Sequence, residues 1–343
     1  MLITITLEVV ALPFRIRGFR PAATALVGYS LAPTKRSKVR KPSFIIGGSS
    51  AAGTSFLSSV LVQHPEIFLP RQMRPEPHYF YKSWEYEKGF DYYLEKWFSG
   101  ANESHIAVGE RSSSYLFGGK TVADRISQDL PNLKLIFVLR NPVERTWANY
   151  RYTTLEGLES LSFQEALETE KERIEQQAGI WAEIQPHNYT GRGFYGSQLR
   201  EFLSVFSREQ ILVLKSEDLR VRLEESLKSV YDFLAVDSDI RHEVLPPDFT
   251  SLTVKDPLLQ TDLRSYFGDR FDLIVETLRE GNSPSGLSQN VEYRQKLELL
   301  RFNVSGEKEE MPSESRHYLE ELFAADIRKL SEVTGLNFSS WVR

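Results

Sequence analysis

The chain has 343 residues, which is enough for one large α/β domain or two small ones. Its 41% apolar and 26% charged residues are typical of an ordinary globular protein, and its net charge of −5 argues against a general nucleic-acid binder. Because it contains no cysteine, a disulfide framework, a thiolate metal site and a cysteine nucleophile are excluded. The same absence is typical of a reducing compartment, so we expect a cytoplasmic location.

The first 40 residues contain apolar runs that are interrupted by polar residues and proline, among them Glu8 and Pro13. None of these runs reaches the ~20 residues of a membrane span, so no transmembrane segment is predicted. No basic stretch precedes the first run, which disfavours a secretory signal. We interpret residues 1–40 as a leader or peripheral arm. The alternative is an amphipathic segment that contacts a membrane surface, helped by the basic residues between 35 and 41.

From residue 41 onwards, short apolar strands alternate with longer helices. Strands are predicted at 43–47, 106–110, 134–140 and 211–219. Helices are predicted at 53–63, 87–98, 121–130, 142–154, 162–184, 195–206 and 312–335. This succession predicts an α/β fold in which helices flank both faces of a central parallel sheet. Residues 237–310 are expected to be less regular, and residues 41–343 to form a single domain.

A phosphate-binding loop is indicated between the first strand and the first helix. Glycines at P-loop spacing let backbone N–H groups turn inward, and the helix N-terminus adds partial positive charge, so an anion suits the site. A P-loop nucleotidase would need lysine where Thr54 stands. Taken alone, the loop leaves an anion site and a turn without a ligand equally open. Its members are Gly48, Ser49, Ser50, Ala51, Ala52, Gly53, Thr54 and Ser55.

Three further segments follow the loop in a fixed order. They are RPEPHYF at 74–80, GERSSSYL at 109–116 and LRNPVERTWANYRY at 139–152. Together with the loop, they resemble the sulfotransferases that use 3′-phosphoadenylyl sulfate (PAPS). The likeness is greatest to the glycan branch, which includes the heparan sulfate sulfotransferases and many bacterial relatives. It runs from about residue 41 to residue 234, and the stretch 311–335 is similar to the closing helix of the family.

The resemblance implies roles for individual residues. The P-loop-like loop corresponds to the loop that wraps the 5′-phosphosulfate of PAPS, and Arg140 matches the arginine that grips the 3′-phosphate. Glu76 matches the general base of the family. His78 stands where a histidine helps to position that base, and Arg111 stands where lysine is usual. The segment GRGFYGSQL at 191–199 is similar to one that approaches the nucleotide.

The residue types suit this chemistry independently of the resemblance. Sulfonyl transfer is an in-line displacement, in which positioning and stabilisation of charge on oxygens dominate. A backbone cradle and Arg111 can supply the electrostatics, and a carboxylate such as Glu76 can remove a proton from an acceptor hydroxyl or amine. This chemistry needs no metal, and no metal site is apparent in the sequence. The resemblance implies an enzyme that uses PAPS as cosubstrate and sulfates a hydroxyl or amine of a carbohydrate or another acceptor, and we expect no metal and no nucleic-acid partner.

Each candidate residue also has a purely structural interpretation. Arg140 could be a salt-bridge partner at the end of a buried strand, and Glu76 a solvated carboxylate. His78 could be packed beside its aromatic neighbours. Arg111 could pair with Glu110 or another carboxylate.

Two nucleotide-binding positions depart from the family pattern. Ala51 stands where lysine or arginine is usual, and Ala148 stands where a serine contacts the 3′-phosphate. A charged hydrogen bond is typically worth ~1.5–3 kcal/mol, so either other residues compensate or activity is weakened. Our hypothesis is that Arg71, Arg74 or Arg111 supplies the missing charge above Ala51. The alternatives to an active sulfotransferase are a non-catalytic nucleotide- or glycan-binding relative and a P-loop kinase.

Overall fold

Five parallel strands form the central sheet of the protein. The computed structural model describes residues 39–70, 75–240, 252–279, 281–282, 290–306 and 309–342. The strands of the sheet are β1 Phe44–Gly48, β2 Ile67–Phe68, β3 Ala107–Arg111, β4 Lys134–Leu139 and β5 Ile211–Lys215. They lie in the order β2-β3-β1-β4-β5, so the first strand of the chain is central. The prediction of an α/β fold around a parallel sheet is confirmed.

Helices make up most of the remaining structure within the described ranges. They are α1 Thr54–Leu61, α2 Ser83–Tyr86, α3 Phe90–Phe98, α4 Gly119–Asp129, α5 Pro142–Leu155, α6 Phe163–Glu168, α7 Glu170–Gln176, α8 Ile180–Ile184, α9 Tyr195–Leu203, α10 Ser216–Val221, α11 Leu223–Leu234, α12 Pro257–Phe267, α13 Phe271–Arg279, α14 Val291–Asn303 and α15 Ser313–Thr334. Among the residues that the structure describes, no helix combines the length and the hydropathy that crossing a membrane requires. The predicted arm at 1–40 lies outside them, apart from its last two residues.

The two faces of the sheet bury separate hydrophobic cores. Side chains alternate along a strand, so Phe44 and Ile46 pack with α1 on one face while Ile45 points into the core on the other. All three side chains have no exposed surface. A strand that is covered on both faces has to be apolar throughout, which explains the continuous apolar run in the sequence.

The region 237–310 is more regular than its sequence indicates. Helices α12, α13 and α14 pack around a third core that includes Leu263, Phe271 and Leu300. A short antiparallel pair, β6 Thr253–Val254 and β7 Val304–Ser305, lies beside these helices in the chain. Pro257 does not break the helix because it occupies the first turn, where a proline is tolerated. The prediction of irregular structure is therefore wrong for the described residues of this region.

The single long helix predicted over 162–184 is also wrong, because three short helices, α6, α7 and α8, take its place. The chain leaves the helical conformation at Gln177, whose ψ is 136°, and Gly179 then adopts a φ of 60°. A positive φ costs glycine little but strains other residues, so the break is built into this position. The strand predicted over 211–219 likewise ends at Lys215, where α10 follows.

Gly196 allows α9 and α15 to approach each other closely. A Cβ atom at this position would lie 2.5 Å from the carbonyl oxygen of Asp326 and 2.7 Å from the backbone nitrogen of Leu330. Both are backbone atoms of α15, so neither can move without shifting the helix. The Asp326 carboxylate also accepts hydrogen bonds from the backbone N–H groups of Gly196, at 2.7 Å, and Ser197, at 3.0 Å.

Gly196→Ala is therefore expected to lower the free energy of unfolding by about 1–3 kcal/mol, the range for overpacking a well-packed interior. Urea denaturation followed by circular dichroism measures this change. Arg200→Ala, on the exposed face of the same helix, is the control and should unfold close to wild type. Equal stability of the two variants would contradict the close-packing argument.

Candidate active site

The loop between β1 and α1 has a backbone that only certain residues tolerate. Gly48 takes a φ of 149°, and a Cβ atom there would lie 3.0 Å from the Cβ of Leu116. Gly53, which precedes α1, takes a φ of 102°, and Ala51 takes 63°. Loops of this kind turn backbone N–H groups towards their concave side, and the N-terminus of α1 adds partial positive charge. The loop therefore has the backbone of an anion cradle.

Several loop residues are buried, and the half-buried Ser50 connects the loop to the segment that follows β3. Ser50 donates its Oγ hydrogen to Ser113, whose carbonyl oxygen lies at 3.3 Å and whose Oγ lies at 3.2 Å. Ala51 is the exposed member of the set. The buried members are Gly48, Ser49, Ala52 and Thr54, and the half-buried ones are Ser50, Gly53 and Ser55.

Arg140 follows β4 and reaches the same loop. Its Nη1 donates a hydrogen bond of 3.4 Å to the carbonyl oxygen of Ala51. Burial, together with the nearby charge of Arg220, lowers the pKa of Arg140. No described carboxylate forms an ion pair with Arg140, so the salt-bridge interpretation of this residue gains no support. An anion bound at the loop would compensate its charge.

Ala148 lies in the second turn of α5 and is half-buried. Its methyl side chain cannot donate a hydrogen bond. The amide of the following residue, Asn149, accepts a hydrogen bond of 3.0 Å from the buried guanidinium of Arg145. The fully buried Arg145 was not singled out in the sequence, because nothing in its local pattern distinguishes it from a surface arginine.

The three predicted catalytic residues lie together around one carboxylate. Glu76, whose side chain is 13% exposed, forms an ion pair with Arg111 through Oε1. Its Oε2 accepts hydrogen bonds from the backbone N–H of Ser113, at 2.7 Å, and from the Ser113 hydroxyl, at 2.8 Å. The Nε2 of His78 lies 3.2 Å from the same oxygen. Glu76 is therefore a largely buried carboxylate with a partner on each oxygen, unlike the solvated one that its proline-rich context suggests.

These contacts keep Glu76 ionised. Burial by itself would raise the pKa of Glu76, but the charge of Arg111, the proximity of His78 and the two donors of Ser113 outweigh burial and lower it. At neutral pH the carboxylate is consequently deprotonated. It can accept a proton from a substrate, as a general base must.

His78 is neutral at the same pH, because burial lowers its pKa to about 4 in spite of the neighbouring Glu76 carboxylate. A neutral imidazole carries one proton, and only Nε2–H can donate to Glu76 in this arrangement. The other ring nitrogen, Nδ1, is buried and has no hydrogen-bond partner among the described residues. The backbone N–H of His78 donates a hydrogen bond of 2.8 Å to the Ser112 hydroxyl, which holds the residue in position.

Ser113 is the residue of the site that sequence reasoning missed. Because it contacts both Ser50 and Glu76, it links the loop to the carboxylate through hydrogen bonds of 3.2 and 2.8 Å. The only signal was its place within GERSSSYL, where a run of three serines does not reveal which one points inward.

The missing positive charge above Ala51 is not explained by the described residues. Arg71 and Arg74 lie outside them. Arg111 is bound to Glu76. Lys82 is a further cation near Glu76. The charges of Glu85 and Glu76 raise the pKa of Lys82, but burial lowers it more strongly.

Glu110 has a different role from the one that a pairing with Arg111 would give it. It is fully buried, and Oε1 accepts a hydrogen bond of 3.2 Å from the hydroxyl of Tyr93. Burial raises its pKa to about 7, although hydrogen bonds from Ser112, Tyr115 and Tyr93 oppose the change. Glu110 thus belongs to an aromatic cluster behind the site.

Stability should therefore depend on the ionisation of Glu110. A carboxyl whose pKa is raised on folding stabilises the fold fully below its ordinary pKa of 4.5 and loses that contribution as pH rises through about 7. The difference is on the order of 3 kcal/mol. In Glu110→Gln, the fall in unfolding free energy between pH 5 and pH 8 should be smaller than in wild type by up to this amount.

Urea denaturation at a series of pH values measures the effect. The exposed Glu103→Gln is the control, and its curve should run parallel to that of wild type. If the curve of Glu110→Gln also runs parallel to that of wild type, the prediction is wrong, because the pKa of Glu110 would then be the same in the folded and the unfolded protein.

Comparison with known families agrees with this geometry. Residues 41–248 match the family model described as "Sulfotransferase domain". The chain belongs to the sulfotransferase family. The resemblance indicated by the four motifs is thereby confirmed, and with it the prediction of a sulfotransferase rather than a P-loop kinase.

Individual relatives are similar over part of their length. Human "Bifunctional heparan sulfate N-deacetylase/N-sulfotransferase 2" is 26% identical over 202 residues, which cover 57% of this chain and 22% of the human protein. The mouse "Bifunctional heparan sulfate N-deacetylase/N-sulfotransferase 1" is 27% identical over 210 residues, covering 59% of this chain and 23% of that protein. The matched region thus spans less than a quarter of these curated relatives.

A solved structure matches more completely. The sulfotransferase from Alicyclobacillus acidocaldarius has a TM-score of 0.64 and 25% sequence identity, and the match covers 89% of this chain and 100% of that chain. The fold is therefore that of a sulfotransferase over most of the length of the chain.

Proposed function

We propose that this protein transfers a sulfonyl group from PAPS to an amine or hydroxyl group of a carbohydrate. The observation that carries the proposal is the position of Glu76, an ionised carboxylate joined to the phosphate loop through Ser113 and Ser50. Family membership supports sulfonyl transfer. The names of the curated relatives, which are heparan sulfate N-sulfotransferases, support a glycan acceptor and favour an amine over a hydroxyl.

The residues present fit PAPS, which carries a 5′-phosphosulfate and a 3′-phosphate on its ribose. The loop from Gly48 to Ser55 would hold the 5′-phosphosulfate, because its backbone and the start of α1 suit an anion. Arg140 would hold the 3′-phosphate, since it lies at the loop and forms no ion pair with a described carboxylate. Bound PAPS supplies an activated sulfonyl group, and adenosine 3′,5′-bisphosphate leaves when that group passes to the acceptor.

Glu76 would take the proton that the acceptor nitrogen or oxygen loses as it bonds to sulfur. Ser113 and His78 hold the carboxylate in place, and the neutral His78 donates rather than competes for the proton. Once Glu76 is protonated, the positive charge of Arg111 is no longer compensated by it. Arg111 can then stabilise negative charge on the oxygens of the reacting groups, which is where such charge develops.

Glu76→Gln is expected to lower kcat by about 10²–10⁴-fold, the usual contribution of a general base, while affinity for adenosine 3′,5′-bisphosphate stays near wild type. Transfer of radiolabelled sulfate to glycans measures turnover, and titration calorimetry measures binding. Glu87→Gln, an exposed change on the neighbouring helix boundary, is the control and should be fully active. Comparable turnover of Glu76→Gln and wild type would exclude Glu76 as the base.

Arg140→Ala should weaken binding of adenosine 3′,5′-bisphosphate by ~1.5–3 kcal/mol, or roughly ten- to a hundredfold, the range for a hydrogen bond to a charged group. Calorimetry on this variant, with the exposed Arg200→Ala as control, checks the prediction. Unchanged affinity would place the 3′-phosphate elsewhere. ATP with Mg²⁺, titrated in parallel, should bind more weakly than the bisphosphate.

A non-catalytic binder is the alternative, and the apolar side chains at Ala51 and Ala148 favour it. Such a protein would bind the bisphosphate yet sulfate no amine- or hydroxyl-bearing glycan. Ala51→Arg tests this alternative. If no other residue supplies the positive charge that the loop lacks, the new arginine should raise the affinity for PAPS.

A further inference from the structure

Two arginines, Arg140 and Arg220, lie on the same flank of the phosphate loop. Arg140 directly follows β4, and Arg220 lies on α10, which follows β5. The two strands are neighbours, with Leu139 opposite Lys215 in the register, so the chain leaves both at the same edge of the sheet. The segments that carry the two arginines therefore lie side by side where ligands of open parallel sheets bind.

The first residue of α10 lies against the loop. A Cβ atom built on Gly53 would lie 3.6 Å from the Oγ of Ser216, with which α10 begins. Residues four apart on a helix share a face. Arg220 thus lies one turn further along the face that Ser216 turns towards the loop.

The guanidinium groups of Arg140 and Arg220 are close enough for their charges to repel each other. After burial, the charge of Arg220 is the strongest influence that lowers the pKa of Arg140, while Glu144 and Glu217 oppose it, each more weakly. Glu217 also ties α10 to this position, because its Oε1 accepts a hydrogen bond of 3.2 Å from the backbone N–H of Asn141. Two like charges held near each other are stabilised when an anion binds between them.

Neither arginine forms an ion pair with a carboxylate in the part of the chain that the structure describes. Acidic side chains in the surrounding helices are paired with other arginines: Asp218 with Arg222 at 2.5 Å, and Glu144 with Arg316 at 2.7 Å. Arg140 is half-buried, and Arg220 is exposed. The guanidinium of Arg220 is therefore accessible to a ligand that enters from solvent.

The strand order places this pair of arginines opposite the candidate catalytic carboxylate. β1, which leads into the loop, lies between β3 and β4. Glu76 is bonded to Ser113, which follows β3, whereas the arginines follow β4 and β5. A ligand that lies across the loop consequently has the carboxylate on one side and two guanidinium groups on the other.

We propose that Arg220 joins Arg140 in binding the 3′-phosphate of the nucleotide, so that two guanidinium groups share one anion. The forked guanidinium group donates parallel hydrogen bonds to phosphate oxygens, and a phosphate has enough oxygens to accept from two arginines. This inference rests on the proposed function, because it takes PAPS as the cosubstrate. It makes Arg220 a residue that distinguishes nucleotides with a 3′-phosphate from nucleotides without one.

Titration calorimetry of the full chain with adenosine 3′,5′-bisphosphate and with adenosine 5′-monophosphate tests the assignment, because these ligands differ only in the 3′-phosphate. Wild type should bind the bisphosphate about tenfold more tightly or better. Arg220→Ala should weaken binding of the bisphosphate by about three- to tenfold and that of the monophosphate by less than about twofold. Arg220→Lys keeps the charge but not the fork, and it should lie between wild type and Arg220→Ala.

Arg222→Ala is the matched control. It removes an arginine two residues further along the chain, and this arginine is already paired with Asp218. The ratio of the two affinities should stay at the wild-type value in this variant.

An unchanged ratio in Arg220→Ala would overturn the assignment, and so would an equal loss of affinity for both nucleotides, which would indicate a general effect of charge or packing. Equal binding of the two nucleotides by wild type would overturn it as well. The sulfate-transfer assay keeps the two proposals apart. If wild type prefers the bisphosphate but sulfates no acceptor, the proposed function fails, and the ratio alone decides the role of Arg220. If wild type transfers sulfate and the ratio is unchanged in Arg220→Ala, only the assignment of Arg220 falls.

Discussion

The ion pair between Glu76 and Arg111 joins the two segments from which the candidate active site is built. A buried carboxylate is costly unless charges and hydrogen-bond donors compensate it, and here one arginine, one histidine and one serine do so. The same contacts fix where the carboxylate points and keep it deprotonated. Structure and chemistry therefore depend on one set of contacts, because the groups that make burial of Glu76 possible also prepare it to accept a proton.

The parallel sheet explains how these contacts arise. β1 and β3 are neighbours, with Ile46 opposite Arg111 in the register, so the chain leaves both strands at the same edge. The loop after β1 and the serines after β3 consequently meet, and Ser50 contacts Ser113. Ligands of open α/β sheets bind outside the carboxyl ends of the strands, where such loops converge. The arrangement places an ionised carboxylate beside the loop after β1 without requiring the two to be close in sequence.

Two points that the sequence left wrong or undecided have separate physical causes. The stretch 162–184 has helical periodicity, but the left-handed backbone of Gly179 divides it. The possible pairing of Arg111 with Glu110 was likewise undecided by the sequence. Adjacent residues on a strand point to opposite faces, so Arg111 meets Glu76 while Glu110 enters the aromatic core beside Tyr93.

The sequence by itself determined the parallel sheet, four of its five strands and the glycine loop, because apolar runs and turn residues reflect local rules that each segment obeys alone. It also marked Glu76, His78 and Arg111, but only through the resemblance of short motifs to a family. The tertiary structure alone decided that these three share one carboxylate, that Ser113 connects them to the loop, and that Arg220 lies on the same flank of the loop as Arg140. Contacts between residues far apart in the chain depend on how the elements pack, and no local pattern encodes that packing.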